Sequence, residues 1–214
     1  MDIVTLNHDT LIEQQLLQDD IQFSDGFGDP VGEARYYDPD LLSEGHKKVN
    51  LIKLHGATNW FHLREERDGK NIDRYGMPTH WDVHHLKTED GNWLSWIGWT
   101  PIFLSGTYNK LMDYNFGIFA DLQHQFYQAL NRHDIMIMSG YGWNDRGING
   151  RIFEWLSSSS NKRLFFLQER PEEIKEKSKS AMWHRYDEEV RQGRLIPIPK
   201  YLKDVSVSDL LLPF

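Results

Sequence analysis

The feature that most constrains the fold is a recurring unit: a short apolar run, a polar or glycine-bearing break, then apolar residues at helical spacing. Residues 3–6 are apolar and β-branched and stop at Asn7, and Asp9 then offers an N-cap to a stretch carrying Leu11, Ile12, Leu16 and Leu17. Residues 49–54 read as a second buried strand, broken by His55-Gly56. Residues 134–139 form a continuous apolar strand that ends at Gly140-Tyr141-Gly142, and Ile148, Ile152, Phe153 and Trp155 place a helix over about 147–156. Residues 164–167 make another strand, Pro171 with Glu172 and Glu173 opens a charged helix reaching about residue 192, and 195–198 give a last strand. Between the second and third strands, Ile118, Phe119, Leu122, Phe126 and Leu130 recur three and four apart, which predicts an amphipathic helix of about four turns. Strands alternating with helices predict an α/β fold with a parallel sheet and helices on both faces.

Two stretches break the pattern. Residues 22–48 are rich in Gly, Asp and Pro without a clear period and read as loop with irregular pieces. Residues 64–100 mix charge clusters, Gly, His and Trp, which predicts an irregular inserted region with room for a hairpin, not a series of strands. A length of 214 residues suits one generous domain, so the expectation is a single domain over 1–214 with an insertion at about 64–100.

Composition narrows the function classes. Hydrophobic residues at 39% and charged residues at 26% are ordinary globular usage, and no apolar run approaches the roughly 18 residues of a membrane span. The opening Met1-Asp2-Ile3-Val4-Thr5-Leu6 has no basic flank and no small-residue cleavage site, so it reads as a strand and predicts a cytoplasmic protein. A formal net charge of −8 provides no global footprint for nucleic acid, and none is expected to bind this chain alone. Cysteine is absent, which removes thiolate nucleophiles, disulfides and every Cys-based zinc site together. Trp93, Trp96 and Trp99 lie close together and are expected to serve packing. His80, Trp81, Asp82, His84 and His85, with His62 before them, form no established zinc motif and read as a polar loop or partner surface, with no metal site.

In an open parallel sheet, ligands bind where loops leave the carboxyl ends of the strands. Three predicted strands end there in polar or Gly-bearing sequence: Thr5-Leu6-Asn7-His8-Asp9, Lys53-Leu54-His55-Gly56, and Ser139-Gly140-Tyr141-Gly142-Trp143-Asn144-Asp145. Each has a structural explanation, since Asn and Asp cap helices, His-Gly makes turns and a Gly-rich turn shapes backbone. In this combination and order the segments resemble the sirtuin-like superfamily, and its bacterial branch of NAD-consuming defence proteins more than its deacetylases. Thr5-Leu6-Asn7-His8-Asp9-Thr10-Leu11-Ile12-Glu13 is similar to the branch's Thr-Thr-Asn-Tyr-Asp-x-Leu-Leu-Glu signature, with His8 where Tyr is usual. Lys53-Leu54-His55-Gly56-Ala57-Thr58-Asn59-Trp60 resembles Lys-Leu-His-Gly-Ser-x-x-Trp, and the segment from Ser139 to Asn149 resembles Gly-Tyr-Ser-x-x-Asp-x-x-Ile-Asn, with Gly142 at the Ser and Asp145 at the Asp.

The resemblance implies a Rossmann-like sheet and NAD as substrate, with no zinc. It implies that Asn7 and His55 are catalytic, that Asp9 helps line the nicotinamide-ribose pocket, and that Ser139, Gly140, Tyr141 and Asp145 meet the ADP-ribose part. Gln168, after the 164–167 strand, stands where the family often holds the adenosine ribose with Asn. Two departures matter. The deacetylases' four-Cys zinc module has no counterpart here. The family's opening Gly-Ala-Gly-x-Ser strand-turn, whose amides face the pyrophosphate, has no counterpart before Ile3, so the resemblance covers the later part of the family domain. A sheet without that strand is expected to show an open edge, which predicts edge pairing or poor solubility.

The residue types suit the chemistry. Cleavage of the nicotinamide-ribose bond passes through an oxocarbenium-like state, so a site needs polar stabilisation near the ribose and a base for the incoming water. An imidazole at position 55 suits the base, and the Asn7 carboxamide can orient water or substrate. The primary expectation is an NAD glycohydrolase of antiviral defence, working as a homo-oligomer or with a partner such as an oligomeric ATPase. The alternatives are a truncated or degenerate sirtuin-like module that binds nucleotide or protein without catalysis, and an ADP-ribosyltransferase.

Overall fold

The computed structural model describes residues 1–43, 47–98, 100–105, 114–177 and 181–211. The chain divides into two compact units, Met1–Phe126 and Tyr127–Phe214. Both are built of mixed α/β structure with parallel sheets, and five α-helices occur among the described residues.

The first unit opens with β1 (Asp2–Thr5) and α1 (Leu11–Gln18), followed by the short strands β2 (Phe23–Ser24) and β3 (Ala34–Tyr36) and then β4 (Val49–Lys53). β4 lies between β1 and β2, parallel to both, and all five of its residues are buried. A parallel strand covered on both faces has no solvent face on which to place alternating polar residues. The two polar residues of β4 are buried with partners: Asn50 Nδ2 donates to Asp2 Oδ1 at 2.8 Å and Lys53 to Glu13 Oε1 at 2.8 Å. Full burial of side chains such as Leu51 and Ile52 contributes about 1.5–3 kcal/mol each. β1 is an edge of this sheet, and Val4 on it is exposed.

The stretch after β4 differs from the expectation. Most of it is strand: β5 (Phe61–Arg67), β6 (Lys70–Pro78), β7 (Leu86–Lys87) and β8 (Trp93–Ile97) join β3 in an antiparallel sheet of order β3-β6-β5-β8-β7. Phe61, Leu63 and Glu65 point inward while His62, Arg64 and Glu66 do not, the period-2 pattern of a half-buried strand. The reversal into β6 is Asp68-Gly69, with φ of +54° and +69°, the left-handed pair a tight two-residue hairpin requires. Apart from the buried Glu65, the β5 charges occupy the other face, where Arg64 pairs with Asp73 across the strands. Ala34, Phe61, Leu63, Leu86 and Leu94 form the sheet's core, and Trp96 packs edge-on against Phe61 at 4.8 Å. Trp93 is exposed beneath the Lys87 ammonium, and Trp99 lies outside the described residues.

Helix α2 (Gly117–Arg132) matches the expected amphipathic helix and leads into the second unit. There β9 (Ile135–Ser139), β10 (Arg163–Leu167) and β11 (Leu195–Ile198) form a parallel sheet of order β11-β10-β9. Helix α3 (Arg146–Ser157) connects β9 to β10, and α4 (Pro171–Lys177) with α5 (Ala181–Arg191) connects β10 to β11, so each crossover is helical as parallel strands demand. The single helix expected over 171–192 is described as these two segments, with 178–180 outside the described residues. Phe165, Leu167 and Ile198 pack with Ile196, Val205 and Leu210, while β9 at the edge exposes Ile135 and Ile137. Among the described residues no helix is long and apolar enough to cross a membrane.

Candidate functional site

In the first unit, pairing of β1 with β4 sets Thr5 opposite Lys53, so the loops that follow leave the same end of the strand pair. Leu54 N–H donates to the Thr5 carbonyl at 3.0 Å, extending the pairing one step beyond the strands. Asn7 and Asp9 are exposed on one loop, and His55 is buried at the start of the other. The Asp9 carboxylate accepts Leu11 N–H at 3.1 Å, so this residue also opens α1.

A buried cation ties the loops together. Lys53, only 1% exposed, donates to Glu13 Oε1 at 2.8 Å and to the carbonyl of Asp9. Its ammonium thus joins the end of β4, the first turn of α1 and the Asn7–Asp9 loop. From the other side, the Thr58 amide and hydroxyl both donate to the His8 carbonyl, at 3.0 and 3.3 Å.

The turn at 53–60 is laced to residues 102–104. Ala57 N–H donates to Ile102 O at 3.1 Å, Ile102 N–H to Trp60 O at 2.8 Å and Leu104 N–H to His55 O at 2.8 Å. Gly56 sits at φ +75°, and a Cβ there would lie 2.2 Å from Ile102 O, so glycine is required by both conformation and space.

His55 itself is 5% exposed, and its Nε2 lies 2.7 Å from the hydroxyl of Tyr114, which is equally buried. The His8 ring stands 6.1 Å from the His55 ring and 4.9 Å from the Phe103 ring. Tyr114 and Phe103 were not legible as site residues, because neither belongs to a motif or a period. The Lys53–Glu13 pair carried a weak signal, a lysine inside a largely apolar strand.

In the second unit, Ser139 pairs with Leu167, so Gly140 and Gln168 leave neighbouring parallel strands together. Ser139 and Gly140 are exposed, and Gly140 adopts φ +71°. Tyr141 donates its hydroxyl to Asn149 Oδ1 at 2.7 Å and also approaches the Asp145 carbonyl at 3.2 Å. Burial, with the Asp145 carboxylate nearby, raises the Tyr141 pKa well above that of a free phenol, so its hydroxyl stays protonated. Asp145 caps α3, accepting Gly147 N–H at 3.0 Å and Ile148 N–H at 3.2 Å. Fully buried Asn149 donates to Trp143 O at 2.9 Å, holding Trp143 at φ +55°. Tyr141, Asp145 and Asn149 therefore fix the turn's shape, and the polar surface it presents comes from Ser139 and the backbone around Gly140. Gln168 accepts Glu169 N–H with its own Oε1 at 3.1 Å.

The His80–His85 stretch is a surface loop, in which His85 Nδ1 meets Asp82 Oδ2 at 2.8 Å and His84 packs beside Trp96. Among the described residues no cluster of three or more His, Asp or Glu side chains is arranged to hold a metal ion. A family model described as a SIR2-like domain matches residues 2–190. No curated protein matches the chain.

Proposed function

This chain belongs to the SIR2-like domain family, an NAD-related assignment, and from that premise we propose that it cleaves the nicotinamide-ribose bond of NAD as a single Rossmann-like domain. The observation that carries this reading is the grouping at the carboxyl ends of β1 and β4, where an exposed carboxamide, an exposed carboxylate and a buried imidazole leave one end of a parallel strand pair. Such strand ends are where α/β sheets bind ligands.

In this reaction the carbon–nitrogen bond electrons leave with neutral nicotinamide while a water oxygen bonds to the ribose carbon. His55 takes the water's proton, and Asn7 orients water or carboxamide. Asp9 faces the ribose with its remaining lone pairs, since Leu11 N–H uses only one oxygen. Ser139, Gly140, Tyr141, Asp145 and Gln168 serve the ADP-ribose part, chiefly through backbone and the Ser139 hydroxyl. No zinc takes part in this scheme. The same resemblance extends the proposal to cytoplasmic antiviral defence, with activity released by self-association or by a partner protein such as an oligomeric ATPase. Transfer of ADP-ribose to an acceptor would use the same residues.

Chromatographic detection of nicotinamide after the protein meets NAD tests the proposal. The expected result is release that Asn7→Ala and His55→Ala each reduce by about 10²- to 10⁴-fold. No release, alone or with candidate partners, would refute it and favour a binding module. The enclosed state of His55 is the observation on that second reading's side.

A further inference from the structure

We propose that Tyr114 is the group through which His55 exchanges its proton during the reaction, an inference that rests on reading His55 as the base. Tyr114 Oη lies 2.7 Å from His55 Nε2, and the two rings are nearly parallel, inclined by 20°. Both residues are buried, at 8% and 5% exposure, so the phenol oxygen covers this imidazole nitrogen. A reacting water or ribose hydroxyl cannot bond directly to Nε2 while that contact holds.

The direction of the hydrogen bond follows from the two groups. A phenol O–H is a stronger donor than a neutral imidazole N–H, and an imidazole nitrogen is a stronger acceptor than a phenol oxygen. Tyr114 therefore donates to Nε2 and holds His55 in the tautomer protonated on Nδ1. The His8 ring stands 6.1 Å from the imidazole, and the His55 backbone is fixed by Leu104 N–H at 2.8 Å.

The proton path then runs through the phenol. As the attacking oxygen bonds to the ribose carbon, its proton passes to Tyr114 Oη while the Tyr114 proton passes to His55 Nε2. Tyrosine ends neutral, His55 becomes imidazolium and later returns its proton to solvent, and nicotinamide leaves with the bond electrons. No oxidant or metal enters the balance.

Tyr114→Phe keeps the ring and removes only the donor, which separates this role from packing. In ¹⁵N spectra of the full chain, with the His55 signal assigned by its loss in His55→Gln, parent His55 should show Nε2 as an unprotonated acceptor. That signature should change in Tyr114→Phe. In the nicotinamide assay kcat should fall by about 10²-fold with KM little changed. An unchanged His55 spectrum overturns the proposal, and so does a Tyr114→Phe chain as fast as the parent or faster, the last meaning that the phenol only obstructs the base. Absence of nicotinamide from the parent itself would sink the NAD reading and the proton path with it. Release by an unimpaired Tyr114→Phe variant would sink the proton path alone.

Discussion

Replacement of Lys53 by methionine tests whether the loops of the candidate site are held by one buried charge. Methionine preserves the length and apolar stem but leaves the Glu13 carboxylate and the Asp9 carbonyl without the ammonium that each now contacts. Removing one partner of a buried ion pair costs about 3–5 kcal/mol, because the remaining charge stays desolvated. Replacing both charges is far milder. In Glu13→Leu with Lys53→Met the desolvated carboxylate is gone, and the chief loss is the hydrogen bond to Asp9 O, about 1 kcal/mol. The single variant should therefore be less stable than the double. Urea unfolding gives the two totals, and hydrogen exchange at Leu54, whose amide bridges β4 to β1, locates the loss in the first unit. A loss below about 1 kcal/mol for Lys53→Met would refute the reasoning, as would a double variant no more stable than the single.

Gly56→Ala should destabilise the first unit by more than the roughly 1–2 kcal/mol of a left-handed alanine, since the added carbon also meets Ile102 O at 2.2 Å; a variant melting with the parent would contradict this. In the second unit, the Lys200 ammonium and then the amide and hydroxyl of Ser206 lower the Asp209 pKa from 3.8 to about 2. A depressed carboxylate contributes stability above its unfolded value that is lost as pH falls, so the Ser206–Asp209 cap should hold through pH 3.8 and be released toward pH 2. Carboxyl NMR titration of Asp209 checks this, and a midpoint at the ordinary aspartate value would refute it.

Much of the parallel framework was legible because its strands are short, largely apolar runs: β10 is buried along most of its length, and β9 is apolar even though it exposes Ile135 and Ile137 at the sheet edge. The amphipathic α2 was legible by its three- and four-residue spacing. The antiparallel sheet was missed for a specific reason: its strands alternate buried and charged residues, so Glu65, buried against the Arg67 guanidinium, and the Arg64–Asp73 pair looked like charge clusters. Asp68-Gly69 between two such runs was the available hairpin signal. Within the candidate site, residues at strand ends could be read from motif and position. The partners of those residues could not. Tyr114 reaches His55 across 59 positions, and Lys53 reaches Glu13 across 40, separations at which no local pattern exists. For Tyr141 and Asp145 the motif was visible but their structural bonds, to Asn149 and the α3 amides, were not.

The lacing of residues 55–60 to 102–104 makes the antiparallel strands β5 to β8 an excursion whose two feet are sewn together. Three backbone hydrogen bonds, not the length of chain between them, set the distance between departure and return. Doubling the length of a flexible loop with fixed ends costs only about 0.6 kcal/mol. In mechanical terms the excursion is a cassette: changes at its exposed Trp81 and Trp93 alter the surface it carries, while the lacing holds the spacing around His55.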